Sequence, residues 1–317
     1  MTPGGAPVWT VVLGYNQYAL TRSCLLSVLA LDPAPDHVLL VDNGSSDGTA
    51  ERARREFPEI EVLALPENRY FAGGVNEGLR RALDGGAGSV LLLNNDLVLE
   101  RGALGALEAA LREDPARAAV GPKIFYYDPP DRIWFAGGVV TRVFGLIRHR
   151  GVNRKDEKLR DGPREVDYVS GAAALFARDA LESVGLLDAS YVMYAEDVDW
   201  CTRARRAGRR LAYEPRARAW HHVSAATGGG LTPLKAYFRL RSGALFLSRH
   251  AAVRERPLAW LAYGAWTAWL LLRALFRGEG GAASALLLGF ADFTRILSGA
   301  GAPARTPESF VRPAPRR

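Results

Sequence analysis

Five short segments carry side chains whose types and spacing could do chemistry. The first is Val41-Asp42-Asn43-Gly44-Ser45-Ser46-Asp47-Gly48, an acid at the end of an apolar run followed by small residues. A carboxylate there can accept the imide N–H of a uracil or thymine ring, and the same run can also cap a helix through Ser45, Ser46 or Asp47. The second is Leu91-Leu92-Leu93-Asn94-Asn95-Asp96, an apolar strand that closes on three oxygen-bearing side chains. Hard cations such as Mg2+ or Mn2+ take oxygen ligands, so Asp96 is a candidate for holding a metal that bridges a diphosphate. Asn-Asn-Asp is equally an ordinary turn sequence. The third is Tyr194-Ala195-Glu196-Asp197-Val198-Asp199-Trp200-Cys201-Thr202-Arg203, with three carboxylates inside four positions. If a helix begins here, Asp199 and Arg203 pair at i and i+4 and leave Glu196 and Asp197 in the first turn. An acid so placed can take a proton from a hydroxyl or merely complement the helix dipole. The fourth closes on Trp220-His221-His222-Val223-Ser224 and reads as a strand. Neighbours on a strand point to opposite faces, so one histidine can enter a site as a metal ligand while the other faces out or packs. The fifth, Asn68-Arg69-Tyr70-Phe71-Ala72-Gly73-Gly74-Val75-Asn76, lies between a strand and a helix. Its backbone can approach a phosphate or sugar closely, or form a tight turn.

The elements that must position these groups follow from the apolar pattern. Strand-like runs at 8–13, 38–41, 61–65 and 89–93 alternate with helix-like stretches at 20–31, 48–56 and 72–83. That rhythm predicts βαβα units around a parallel sheet, with ligands at the turns that follow the strands. Residues 8–100 therefore read as a nucleotide-binding half. From 101 to 230 the pattern is mixed, with a helix at 103–111, turns at 128–131 and a polar loop at 153–165, and is read as an acceptor-binding half. Residues 257–276 carry one charge in twenty positions and as a helix would reach about 30 Å, the thickness of a bilayer core. Arginines on both flanks, three tryptophans and a tyrosine suit a helix lying in the membrane interface, with a soluble core helix or a true span as alternatives. The stretch 283–297, interrupted by Asp292 and Arg295, favours the in-plane reading. The Pro/Arg-rich tail, 301–317, is expected to be disordered.

With 317 residues and 48% apolar composition the chain can bury a substantial core. The net charge of +7 favours anionic partners such as phosphates, nucleotides or acidic lipid surfaces; no nucleic-acid partner is expected. Cys24 and Cys201 lie far apart without CxxC spacing, which indicates neither a disulfide framework nor a zinc site and fits a reducing cytosol. The first seven residues lack the pattern of a secretory signal. The catalytic part is accordingly expected in the cytoplasm, peripheral at the inner face of the cell membrane.

Taken in order, VDNGSSDGT, NRYFAGGVN, LLLNND, YAEDVDWCTRA and HHVS resemble the family 2 glycosyltransferases, especially their rhamnosyltransferase-like branch, over residues 8–249. The resemblance implies a GT-A (Rossmann-like) mixed sheet flanked by helices over 1–230, a C-terminal helical, membrane-associated segment over 231–300, and the tail. It implies that Asp42 contacts the base and that Asp96 binds the metal, with His221 favoured over His222 as its partner by the spacing to Ser224. Asp197 would be the catalytic base, beside Glu196. Tyr15, Asn16, Asn68, Gly73, Gly74, Asn76, Asn94 and Asn95 would line the nucleotide-sugar cleft. The implied reaction is an inverting, Mg2+- or Mn2+-dependent transfer of a hexose from a nucleotide-diphosphate sugar to a hydroxyl of a glycan or lipid-linked acceptor, in cell-surface polysaccharide synthesis. By branch resemblance dTDP-rhamnose is the first donor to consider and UDP-linked hexoses the next. The alternatives are a sugar-phosphate nucleotidyltransferase, whose glycine- and basic-rich loop Gly14-Tyr15-Asn16-Gln17 does not reproduce, and a non-catalytic nucleotide-sugar-binding protein, which has no use for an acid at Asp197. All of this requires Asp42, Asp96, Asp197 and His221 to converge beside the carboxyl ends of one sheet.

Overall fold

The structure, a computed structural model, describes residues 6–141, 147–158, 161–223, 231–298 and 310. It begins with β1 (Val8–Gly14), α1 (Tyr18–Leu29), β2 (His37–Asp42), α2 (Thr49–Glu56), β3 (Glu61–Ala64), α3 (Tyr70–Asp84) and β4 (Ser89–Asn94). Every residue of β1 is buried, as a continuous apolar run requires in a strand covered on both faces. Parallel neighbours need crossover connections, and α1, α2 and α3 supply them. β2 and β4 flank β1 in parallel, with Gly14 opposite Asp42 and Leu13 opposite Asn94. Three strand ends therefore meet at one rim.

The chain continues through β5 (Leu97–Leu99), α4 (Ala103–Arg112), β6 (Arg117–Tyr126), β7 (Ile133–Phe135), β8 (Gly138–Val140), β9 (Ile147–His149), β10 (Arg164–Glu165), β11 (Ala173–Ala177), α5 (Arg178–Val184), α6 (Glu196–Arg206) and β12 (Arg210–His221). The sheet runs β10-β12-β6-β11-β4-β1-β2-β3, with β5 on β12 and β7 on β6. It is mixed because β11 enters antiparallel to both β4 and β6. The predicted loop at 153–165 contains regular structure among its described residues. A 3-10 turn, Asp156–Lys158, forms where Asp156 is held by Lys123 and Arg218 at 2.6 Å each, and β10 pairs with β12.

Two compact units account for the chain. One comprises Met1–Val140, Ile147–Ala189 and Glu196–Val223; the other comprises Thr141–Leu146, Ser190–Ala195 and Ser224–Arg317. The second unit contains α7 (Pro233–His250), α8 (Arg256–Phe276) and α9 (Gly280–Leu297). Ala259, Tyr263, Leu270 and Ala274 form the buried stripe of α8 at helical spacing. Its other face is also apolar: Leu258, Leu261, Trp269, Leu272 and Leu275 are exposed, and Phe276 is 90% exposed. By length and composition α8 is apolar enough to cross a membrane. Asp292 does not break an outward surface of α9. It is buried inside the unit and accepts a hydrogen bond from the Tyr237 hydroxyl at 2.7 Å, while Leu287, Leu288 and Phe290 face out. Of the tail expected to be disordered, all but Phe310 lies outside the described residues.

Within the second unit a strained turn is fastened by α7. Val192, Tyr194 and Ala195 have φ of +66°, +67° and +69°, conformations that cost side-chain-bearing residues about 1–3 kcal/mol each. The buried Arg241 donates from Nη1 to the carbonyls of Ser190 (3.0 Å) and Tyr191 (3.2 Å). Ser242 Oγ donates to those of Tyr191 (3.1 Å) and Met193 (2.7 Å).

Candidate active site

The rim formed by β1, β2 and β4 collects the polar residues singled out in the sequence. Asp42, last in β2, is buried, and its Oδ1 accepts the Ser45 amide at 3.2 Å and the Ser45 hydroxyl. Ser45 Oγ in turn accepts the Asn16 amide at 2.7 Å, and Asn16 Oδ1 accepts the Ser46 amide at 2.9 Å. The turn after β1 is thereby tied to the turn after β2. Asn16 and Gln17 adopt φ of +55° and +59° there, and the neighbouring Tyr15 is 40% exposed, free to lie against a planar ring. Gly44 is needed in this turn, because at φ +76° a Cβ would stand 2.5 Å from the Glu67 backbone.

Asn43, which the sequence reading gave no role, organises the next wall. Its side chain accepts the Arg69 amide at 2.9 Å and donates to Asn68 Oδ1 at 3.0 Å and to the Tyr70 carbonyl at 2.9 Å. Asn68 Oδ1 also accepts the Tyr70 amide at 2.8 Å, so α3 starts at Tyr70. Gly73 and Gly74 are consequently helical and do not form a phosphate-cradling loop. A Cβ on Gly74 would lie 2.7 Å from Leu13 Cδ1 and 2.9 Å from Asn43 Nδ2, which shows that this glycine lets α3 press onto β1. Asn76 is also turned from the cleft: buried, it donates to the Leu187 carbonyl at 2.8 Å and accepts the Leu187 amide at 3.0 Å.

The β4 end supplies the metal candidates. Asn95 Nδ2 donates to Thr21 Oγ1 at 2.8 Å and so braces the wall. Asp96 Oδ1 is buried without a hydrogen-bond donor and faces His221 Nε2 at 3.1 Å. The pairing of Leu97 with His221 between β5 and β12 brings them together. Asn94 Oδ1 is likewise buried and unpartnered. One carboxylate oxygen and one imidazole nitrogen would suit a hard divalent cation as part of its ligand set. Among the described residues no third Asp, Glu, His or Cys joins them. His222 follows the strand, its ring stacked on Tyr127 at 3.5 Å between centroids. Trp134, which the sequence reading did not single out, sets its ring edge-to-face against His221 at 4.6 Å.

α6 supplies the acids. Arg203 Nε donates to Asp199 Oδ2 at 2.8 Å, the predicted i, i+4 pair. Glu196 is 7% exposed and its Oε2 has no hydrogen-bond partner. Asp197 Oδ2 accepts the Gly171 amide at 2.9 Å and Oδ1 the Val198 amide at 2.8 Å. Gly171 was not anticipated, although a Cβ there would stand 3.1 Å from the Phe71 ring and 3.3 Å from Asp197 Cβ. The adjoining Ala172 carbonyl accepts the Asn94 amide at 2.9 Å. Asp197 and the β4 tip thus bind successive residues of one segment, Gly171 and Ala172. Burial, followed by the charges of Asp197 and then Asp199, pushes the Glu196 carboxyl up to about 8. Burial also raises Asp197, against the hydrogen bonds from the Gly171 and Val198 amides. Burial thus pushes both carboxyls up, and the two backbone amides favour charge on Asp197 over Glu196.

Residues 10–185 match Glycosyl transferase family 2. The N-acetylglucosaminyl-diphospho-decaprenol L-rhamnosyltransferase of Mycobacterium tuberculosis is 29% identical over 273 residues, which cover 80% of this chain and 88% of that protein. The poly-beta-1,6-N-acetyl-D-glucosamine synthase of Staphylococcus aureus is 27% identical over 219 residues, 68% of this chain and 50% of that protein. Among solved structures, the mannosyltransferase PcManGT from Pyrobaculum calidifontis, in complex with GDP-Man and Mn2+, is similar with a TM-score of 0.56 and 17% identity, covering 92% of this chain and 88% of that one.

Proposed function

From the premise that this chain belongs to glycosyl transferase family 2 and has the GT-A fold, we propose that it transfers a hexose, with inversion, from a nucleotide-diphosphate donor to a hydroxyl of a lipid-linked glycan acceptor. Family membership sets aside the nucleotidyltransferase alternative. L-rhamnose on dTDP is the first donor to test and UDP-hexoses the next, and the name of the mycobacterial relative supports both the sugar and a lipid-diphosphate acceptor. The observation that supports the reading is that Asp197 and Asn94 hold successive residues, Gly171 and Ala172, with Asn94 two positions before Asp96 of the Asp96–His221 pair and beside the strand end that presents Asp42.

In this mechanism Asp42 and Tyr15 receive the base, and Asp96 with His221 would hold a divalent cation, which when bound neutralises charge on the departing diphosphate. Each Asp197 oxygen accepts one backbone amide and retains a lone pair for the acceptor hydroxyl. Asp197 takes the hydroxyl proton as the oxygen attacks the anomeric carbon opposite the leaving group, and displacement in one step inverts that centre. Residues 1–230 are the catalytic part in this proposal. Helices α8 and α9, with their exposed apolar faces and flanking arginines, dock it in the plane of an anionic cytosolic leaflet where such acceptors reside. Incubation with Mn2+, dTDP-rhamnose or UDP-hexoses and a polyprenyl-diphosphate sugar should release nucleoside diphosphate, and a chelator or Asp96→Asn should abolish release. Release undiminished by either would remove the metal from the mechanism, and no release with any donor would remove the reaction.

A further inference from the structure

The first unit contains a second polar cleft, away from the rim that gathers Asp42, Asp96 and Asp197. It has a volume of about 290 Å3 and is lined by Arg150, Arg164, Arg205, Arg209 and Arg210, with Glu165 and Asp167 as its acids. Arg205 follows Asp197 by eight positions on α6, about 12 Å along the helix axis. Arg210 and His221 stand at opposite ends of β12, roughly 35 Å apart along an extended strand.

The arginines are held in place without being exhausted. Arg205 meets Asp167 at 2.8 Å, Arg209 grips both oxygens of Asp179 at 2.8 and 2.9 Å, and Arg210 meets Asp114 at 3.2 Å and Glu165 at 3.5 Å. Each of these pairs occupies part of a guanidinium that carries five donors. Arg164 makes no ion pair among the described residues, and the acid beside Arg150, Asp161, is 3.7 Å away. Arg164 Nε, Arg209 Nε and Arg150 Nη1 are all buried without an acceptor. A buried donor left unmatched is costly; five arginines line this cleft against two acids, and their remaining donors suit an acceptor with several oxygens. Guanidinium forks match the paired oxygens of a phosphoryl group, and a phosphate or diphosphate offers several such pairs to several arginines at once.

We propose that this cleft is a phosphoryl-binding site, separate from the donor site, that takes a phosphate ester or diphosphate. The ligand is either a soluble phosphorylated compound or the phosphate headgroup of an anionic lipid. The proposal does not depend on the transferase reading.

The test is calorimetric titration of inorganic pyrophosphate into the full-length protein, in excess chelator and against chloride at equal ionic strength. Saturable one-site binding is expected, weakened about tenfold or more by Arg164→Gln and by Arg150→Gln and unchanged by Asp96→Asn. Arg164 is chosen because its removal strands no carboxylate; Arg164→Lys, which keeps the charge and loses the fork, should fall between. Circular dichroism melts check that each variant is folded. No saturable binding, equal affinity in the arginine variants, or loss only in Asp96→Asn would each overturn the site. Co-sedimentation with phosphatidylcholine vesicles, with and without phosphatidylglycerol, then separates the sources. If the phosphatidylglycerol-dependent part is lost in Arg164→Gln the ligand is a headgroup, and if it is kept while pyrophosphate affinity falls the ligand is soluble.

Discussion

Two adjacent carboxyl groups with opposite jobs make the residue scale testable. Asp197→Asn removes the proposed proton acceptor while leaving a side chain that can still accept the Gly171 amide. Turnover should drop by about 10^2 to 10^4-fold with donor affinity nearly unchanged; single-turnover kinetics beside donor titration would reveal the opposite pattern. For Glu196 the consequence is a stability slope. Its carboxyl sits near 8 in the folded protein against an ordinary 4.5, so between those values the folded chain keeps a proton that the unfolded chain releases. Stability therefore declines as pH rises through that window, by up to about 1.4 kcal/mol per pH unit. Glu196→Gln should flatten the decline, so that its melting temperature overtakes the wild type increasingly from pH 5 to pH 8; parallel curves would contradict the assignment. Much at this scale was legible. Helical spacing gave Asp199–Arg203, and the run closing on His221 could be read as a strand. The roles of Gly171, Asn43 and Trp134 were not legible, because each acts through a partner distant in sequence.

The same division holds for the elements. The β/α alternation of the first hundred residues could be read because central parallel strands are uninterrupted apolar runs. The start of α3 could not, since it is set by the Asn43 and Asn68 side chains rather than by any break in periodicity. Nor could the antiparallel entry of β11, as strand order is a non-local property. The packing role of Gly74 leads to a prediction at this scale. Gly74→Ala forces a methyl against Leu13 and Asn43, and should destabilise the protein by about 1–3 kcal/mol, measured by denaturant unfolding. An unchanged midpoint would show that α3 can retreat from β1.

At the scale of the whole molecule, the second unit presents more apolar surface than a helical bundle in water needs. If α8 docks on lipid, Leu261→Asp and Phe276→Asp should each weaken co-sedimentation with anionic vesicles about tenfold or more, the loss of one buried apolar side chain worth about 1.5–3 kcal/mol. Nucleoside diphosphate release from a water-soluble acceptor should be unaffected. Vesicle binding indifferent to both changes would leave that face without a lipid partner. Sequence composition exposed the apolar stretch but misjudged Asp292, whose charge is enclosed by Tyr237. The pairing of Gly14 with Asp42 and of Leu13 with Asn94 constrains how such a chain can diverge. Deleting one residue inside β4 would turn Asn94 to the opposite face and shorten the reach to Asp96, so the central strands act as rulers of fixed length. Insertions and deletions should accumulate in the turns on the opposite edge, leaving the spacing of the three strand tips as the slowest-changing dimension of the protein.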